Sequence, residues 1–164
     1  MNTNITEGKL VSHSEADTDA LANAFSRSIP NSATIGLNGT LGAGKTRFVQ
    51  GVCVALGASP EEVTSPTFVI CNQYRLEKSV FHLDAYRIKD DDEFFQLGID
   101  EMFLSNGYVF IEWADKFEAM LPRERITVTI DVLGETSRQF CISGTPKYAL
   151  AINQLLRECV DLQL

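Results

Sequence analysis

Residues 39–46 read Gly-Thr-Leu-Gly-Ala-Gly-Lys-Thr, a full match to the P-loop pattern G-x-x-x-x-G-K-S/T. No other stretch restricts the fold as much, because such a loop works only between a strand that delivers it and a helix that leaves it. Both are visible. Residues 33–38 (Ala-Thr-Ile-Gly-Leu-Asn) predict a short strand, and residues 45–56 predict a helix with Phe48, Val49, Val52 and Leu56 turned inward, stopped by Gly57. Gly39, Gly42 and Gly44 let the backbone curl until successive N–H groups point at phosphate oxygens. Lys45 reaches the β- and γ-phosphates and acts in catalysis, while the Thr46 hydroxyl is a ligand for Mg²⁺. Chance would produce the four fixed positions in only about half a percent of chains of this length. The loop predicts a nucleotide at a helix N-terminus.

The rest of the chain supplies an α/β frame. Residues 14–28 predict a helix capped by Ser14, and the apolar run 68–70 a strand preceded by Thr64-Ser65-Pro66-Thr67. Residues 80–84 and 108–111 read as strands, with acid-started helical turns at 90–97 and 99–104 between them. Residues 126–132 and 139–143 flank Gly134-Glu135-Thr136-Ser137 as a hairpin, and Pro146 opens a last helix bearing Leu150, Ile152, Leu155, Leu156 and Val160. The economical solution is one domain over 1–164: a P-loop NTPase-like, three-layer α/β fold with a mixed parallel and antiparallel sheet and a C-terminal hairpin.

Charge narrows the partners. The net charge is −8, from 22 acids and 14 bases without a basic cluster, so unaided binding to RNA or DNA is not expected. Polyphosphate must then be neutralised locally, by loop amides, Lys45 and Mg²⁺. No window nears the ~18 apolar residues of a membrane span, and the opening residues lack the basic start and apolar stretch of a signal peptide. Four scattered cysteines without C-x-x-C point to reduced thiols in a cytoplasmic protein.

A P-loop needs an acid on a second strand to hold Mg²⁺ and a group to position the attacking oxygen. Glu112, at the end of the apolar strand 108–111, and Asp84, at the end of 80–84, have the right placement. Two such acids beside a triphosphate would repel each other without a cation between them, so the pair implies a magnesium site. The hydroxyls of 64–67, stiffened by Pro66, suit a switch segment. His82, Tyr86, Arg87 and Trp113 remain open between packing and function. The N-K-x-D segment of guanine-specific P-loop proteins does not occur in the sequence, which favours ATP.

Taken in order, Gly39 to Thr46, Thr64-Ser65-Pro66-Thr67-Phe68, His82-Leu83-Asp84-Ala85-Tyr86-Arg87 and Glu112-Trp113 resemble the TsaE (YjeE) family of small bacterial P-loop ATPases. That family is needed to make threonylcarbamoyladenosine beside the anticodon of tRNA. The likeness runs from about residue 14 to about residue 143, and its H-x-D-x-Y-R and E-W segments are far more specific than the P-loop alone. It implies that Leu41, Gly42, Ala43, Gly44, Lys45 and Thr46 enclose the phosphates and that Thr46 and Glu112 hold Mg²⁺. Asp84 would be the catalytic or water-positioning acid, and Ser65 and Thr67 would belong to a nucleotide-sensing switch. Trp113 would pack beside the nucleotide, with Glu15 or Thr18 and Gly134 near the adenosine. The sequence departs from the family at Ala85, where a larger apolar residue is common, and at Ala114-Asp115, where proline is frequent. The resemblance also implies a division of labour: a TsaC-type enzyme makes threonylcarbamoyl-adenylate, a TsaD–TsaB pair transfers the group, and this chain hydrolyses ATP to reset the pair.

Two other readings fit a bare P-loop. A small-metabolite kinase would need an acceptor pocket and lid arginines, yet residues 88–107 contain no arginine and are strongly acidic. A nucleotide-dependent interaction module would bind ATP without turning it over, which Asp84 argues against.

Overall fold

Ser14 starts the first helix as its residue type predicts. Its hydroxyl accepts the Asp17 backbone N–H at 3.1 Å, a cap that stabilises the helix by about 1 kcal/mol. The computed structural model describes residues 5–164. In chain order the elements are β1 (Thr6–Ser12), α1 (Glu15–Ser28), β2 (Ala33–Asn38), α2 (Lys45–Ala55), β3 (Cys71–Arg75), β4 (Ser79–Asp84), α3 (Asp91–Gln96), α4 (Ile99–Phe103), β5 (Gly107–Glu112), β6 (Ile126–Val132), β7 (Arg138–Gly144) and α5 (Ala149–Asp161), with short 3-10 segments at Pro60–Glu62, Ala114–Met120 and Pro146–Tyr148.

The strands form one seven-stranded sheet in the order β1-β7-β6-β2-β5-β4-β3. The centre is parallel, β2 lying between β5 and β6 and β4 beside β5, while β3, β7 and β1 run antiparallel to their neighbours. Alternation along each strand divides the core in two. Ile35, Leu37, Tyr108 and Phe110 face α1, α2 and α5 on one side. Leu83, Val109 and Ile111 face α3, α4 and the 114–120 segment on the other. The result is the expected three-layer α/β architecture with a mixed sheet.

Phe48 fixes the helix directly behind the P-loop. Its ring meets Phe25 at 5.3 Å, Phe140 at 5.7 Å and Phe110 at 6.4 Å between centroids, joining α2 to α1, β7 and β5. Emptying that position would cost about 3–5 kcal/mol. On the opposite face Gly36 gives close approach: a Cβ there would stand 3.0 Å from the Ala114 methyl, so β2 admits the 114–120 segment because it has no side chain at this point.

Two sequence readings need correction. The run 68–70 is not a strand. Residues 66–69 form a turn closed by the Ile70 N–H donating to the Pro66 carbonyl at 2.7 Å, and Ile70 takes a left-handed φ of 67°. The cause lies in its neighbour: β4 ends at Asp84, Cys71 already pairs with Leu83, and nothing remains beyond for Phe68 and Val69 to pair with. They are left 83% and 62% exposed. The second correction is β1, whose polar sequence gave no strand signal. It is an edge strand whose Glu7 and Lys9 project outward, residues that suit an edge because they discourage further pairing. The last helix begins with the 3-10 turn at Pro146, and Ile152, Leu155 and Cys159 are its buried positions while Leu150 and Val160 face outward.

Candidate functional site

The P-loop closes on itself between Asn38 and Lys45. Gly39, Gly42 and Gly44 have φ values of 151°, 78° and 109°, and a Cβ at Gly39 would meet the Ile130 carbonyl at 2.6 Å. At Gly42 and Gly44 the same atom would enter open space, so these two glycines are set by backbone conformation, not by crowding. Thr40 accepts from the Ala43 N–H at 3.0 Å, turning the loop into α2. That helix carries no acid of its own in its first turn, and the carboxylate that meets it there comes from β5.

Lys45 is buried and folds back over the loop. Its Nζ donates to the carbonyls of Gly39 at 2.6 Å and Thr40 at 3.0 Å, and lies 3.9 Å from the centre of the Trp113 ring. Burial pushes its ammonium below the ordinary value, and the nearby Glu112, Asp84 and Asp115 carboxylates pull it back. Trp113 holds this position from a left-handed φ of 60° just past the end of β5, its ring 5.0 Å from that of Tyr86.

The two acids expected near the phosphates are register partners on adjacent parallel strands, Asp84 of β4 opposite Glu112 of β5. Glu112 Oε1 accepts the Thr46 hydroxyl at 2.6 Å and stands 2.7 Å from His82 Nε2. Asp84 is occupied differently: it accepts the Tyr86 N–H at 2.9 Å on one oxygen and the Thr67 hydroxyl at 3.3 Å on the other. Thr67 in turn lies 2.6 Å from the Ser65 hydroxyl, so the 64–67 segment is tied to an acid of the site.

These groups share a cavity of about 330 Å³ lined by Leu41, Gly42, Gly44, Lys45, Thr46, Ser65, Thr67, Asp84, Glu112 and Trp113, together with Arg47, Tyr86 and Arg87. A second cavity of about 480 Å³ adjoins it across Gly42, Gly44 and Arg47 and is lined by Glu15, Thr18, Ala43, Glu135, Thr136 and Arg138. Glu15 and Thr18 thus face the far side of the P-loop. Thr18 is itself held by the Ser12 hydroxyl at 2.8 Å. Gly134 is in the β6–β7 turn, where its carbonyl accepts from Arg138 at 2.9 Å, and its neighbours Glu135 and Thr136 provide the lining.

The donor set suits a Mg²⁺ nucleotide. Thr46 and Glu112 offer hard oxygen ligands, and Mg²⁺ ordinarily takes one or two carboxylates plus phosphate oxygens instead of an all-protein cage. The open backbone curve at Gly42 and Gly44, with Lys45 beside it, suits the phosphates.

Residues 12–140 match the family described as Threonylcarbamoyl adenosine biosynthesis protein TsaE. The chain belongs to the TsaE family. The tRNA threonylcarbamoyladenosine biosynthesis protein TsaE of Treponema pallidum is 33% identical over 135 residues, spanning 82% of this chain and 99% of that protein. Its counterpart in Bacillus subtilis is 37% identical over 123 residues, 74% of this chain and 76% of that one. The crystal structure of Bacillus subtilis YdiB superposes with a TM-score of 0.75 at 26% identity, covering 98% of each chain. The span matched to the TsaE family contains every residue of the two cavities described above.

Sequence reading missed Arg138. Its guanidinium donates to the Ala43 carbonyl of the P-loop at 3.0 Å and to carbonyls of the 134–137 turn, joining the two walls of the second cavity. A lone arginine at the start of a return strand carries no local pattern, so only the fold reveals the link. Arg47 was missed for the same reason; it bridges to Asp19 of α1 at 2.7 Å.

Proposed function

We propose that this chain binds and hydrolyses ATP with Mg²⁺ and serves threonylcarbamoyl modification of the tRNA adenosine beside the anticodon. In this reading it acts on a TsaD–TsaB-type complex and does not transfer the threonylcarbamoyl group itself. Membership of the TsaE family supports the pathway. The observation that carries the chemistry is the 2.6 Å contact between the P-loop Thr46 and the strand-end Glu112, at the cavity that Lys45 and Asp84 also line.

Each residue then has a task. The α2 N-terminus and loop amides bind phosphate oxygens, and Lys45 exchanges its loop carbonyls for the β- and γ-phosphates. Thr46 and Glu112 hold the Mg²⁺ side. Bound Mg²⁺ would neutralise charge developing on the phosphoryl oxygens. Asp84 orients the attacking water, and its hydrogen bond from Thr67 links that task to the 64–67 segment. The cavity beyond Gly42 and Gly44, with Glu15 and Thr18 in its wall, takes the adenosine.

The kinase alternative loses its lid. In the region between Arg87 and Tyr108, Phe94 and Ile99 are buried in the core on the opposite sheet face, where Phe94 stacks on Phe117 at 4.5 Å. Helices committed to that core are poorly placed to close over the phosphates.

Trp113 is the one tryptophan of the chain, so its fluorescence can follow the site. ATP should change it saturably and more tightly with Mg²⁺ than in EDTA, GTP should compete weakly, and phosphate release should rise when a TsaD–TsaB pair is added. Binding indifferent to both Mg²⁺ and base, or transfer of the γ-phosphoryl group to a metabolite, would overturn the proposal.

A further inference from the structure

His82 is the most deeply buried polar side chain of the site, with no exposed surface. Strand alternation places Val80, His82 and Asp84 on the face of β4 that looks toward α2. Its Nε2 stands 2.7 Å from Glu112 Oε1, the same oxygen that accepts the Thr46 hydroxyl. A carboxylate can only accept, so Nε2 carries the proton in this pair. Nδ1 is buried with no hydrogen-bond partner among the described residues. The ring is therefore held through one nitrogen only. Burying an imidazole with one ring nitrogen unpaired costs free energy that a leucine or phenylalanine at the same place would not. Core packing alone does not account for a histidine here, whereas its single contact, on Glu112, does.

We propose that His82 is a positioning residue that fixes the Glu112 carboxylate for Mg²⁺. Two donors, Thr46 and His82, converge on Oε1 and set the rotation of the carboxylate, leaving Oε2 to serve the cation. His82 does not line the cavity itself but stands behind Glu112, which does. The inference rests on the magnesium-nucleotide reading of the site and extends it to the group behind the metal-holding acid. Such supporting hydrogen bonds commonly govern about 10- to 100-fold in metal affinity.

The test compares H82Q, H82N and H82F. A glutamine amide can stand where Nε2 stands, an asparagine amide reaches only the Nδ1 position, and phenylalanine keeps the ring without a donor. ATP binding is measured by calorimetry across a Mg²⁺ series and in EDTA, with thermal melting alongside. H82F and H82N should raise the Mg²⁺ midpoint about 10-fold or more while leaving ATP affinity in EDTA within about two-fold of the wild type. H82Q should restore the midpoint to within about three-fold. If H82F does not fold, the contrast between H82Q and H82N carries the same test. A wild-type midpoint in the donor-less variants, or equal losses in H82Q and H82N, overturns the positioning role. Absence of Mg²⁺ dependence in the wild type instead removes the magnesium reading and the inference with it.

Discussion

Thr46 and Glu112 are 66 residues apart in the chain, and the threonine hydroxyl donates to the glutamate Oε1 at 2.6 Å. Parallel pairing of β2 with β5 produces the contact, since it sets Leu37 beside Glu112 just before the P-loop leaves the sheet. A loop that curls from one strand and an acid that ends the next must meet at the same sheet edge. That edge, at the carboxyl ends of parallel strands, is where α/β folds bind ligands.

Lys45→Ala should cripple nucleotide use. A hydrogen bond to a charged group contributes about 1.5–3 kcal/mol, so affinity for ATP should fall about 10- to 150-fold, and hydrolysis with it. Calorimetry is the check. Ordinary ATP affinity in this variant would remove the argument from the loop.

Glu112→Gln and Asp84→Asn should differ in kind. Glu112 accepts the Thr46 hydroxyl, and the two are proposed to hold Mg²⁺, so loss of the carboxylate should weaken the response of ATP binding to Mg²⁺. Asp84 contacts the 64–67 segment and the Tyr86 amide instead. Its loss should leave ATP bound while slowing hydrolysis about 100-fold or more. Parallel titration and phosphate-release measurements separate the two, and identical behaviour would mean the roles are misassigned.

How far sequence reached is clear from particular residues. The P-loop, its strand and its helix were readable because glycine spacing and apolar periodicity report backbone geometry directly. The placement of Glu112 and Asp84 was readable because each ends a strand, one fully apolar and one alternating. His82 remained ambiguous, since its partner lies on a strand whose register no local pattern encodes. Phe68 and Val69 misled for a related reason: β propensity is satisfied only where a neighbour exists to pair with, and β4 ends too soon. Arg138 was invisible because its partners are backbone carbonyls of a distant loop.

The cysteines should divide into two pairs. Burial raises all four thiols, Cys53 from 9.0 up to about 12 and Cys159 up to about 11, but Cys71 and Cys141 are only half-buried and within reach of solvent. At pH about 8 a thiol reagent should reach Cys71 and Cys141 in the native protein and all four after denaturation. The sign of the linkage follows from the raised values. Above 9.0 the unfolded thiols ionise while the buried ones keep their protons, so stability falls with rising pH in that window and has no slope from these groups below it. Buried Lys45 and half-buried Lys78, whose values are lowered, contribute with the opposite sign. Denaturant midpoints of the wild type and C53A on both sides of that window isolate the cysteine: the loss on raising pH should be smaller in C53A.

The isolated chain should bind tRNA negligibly at physiological salt and hydrolyse ATP slowly until it meets a TsaD–TsaB-type complex. At a net charge of −8 without a basic cluster, little counterion release is available to drive association with RNA. Slow turnover follows from how the site's cations are engaged. Both arginines lining the cavity are held elsewhere, Arg47 by Asp19 at 2.7 Å and Arg87 against the exposed Phe68 ring at 4.9 Å, on the segment next to Thr67. A partner that covers Phe68 would order this segment and could present Arg87 or an arginine of its own to the phosphates, and such charge raises hydrolysis by related enzymes about 10³- to 10⁵-fold. Steady-state hydrolysis with and without the purified pair, beside a filter-binding titration with tRNA, decides the matter. Phe68→Ala should reduce the partner-stimulated rate more than the basal one. Tight tRNA binding by the chain alone, or a rate that the pair leaves unchanged, would reopen the kinase reading.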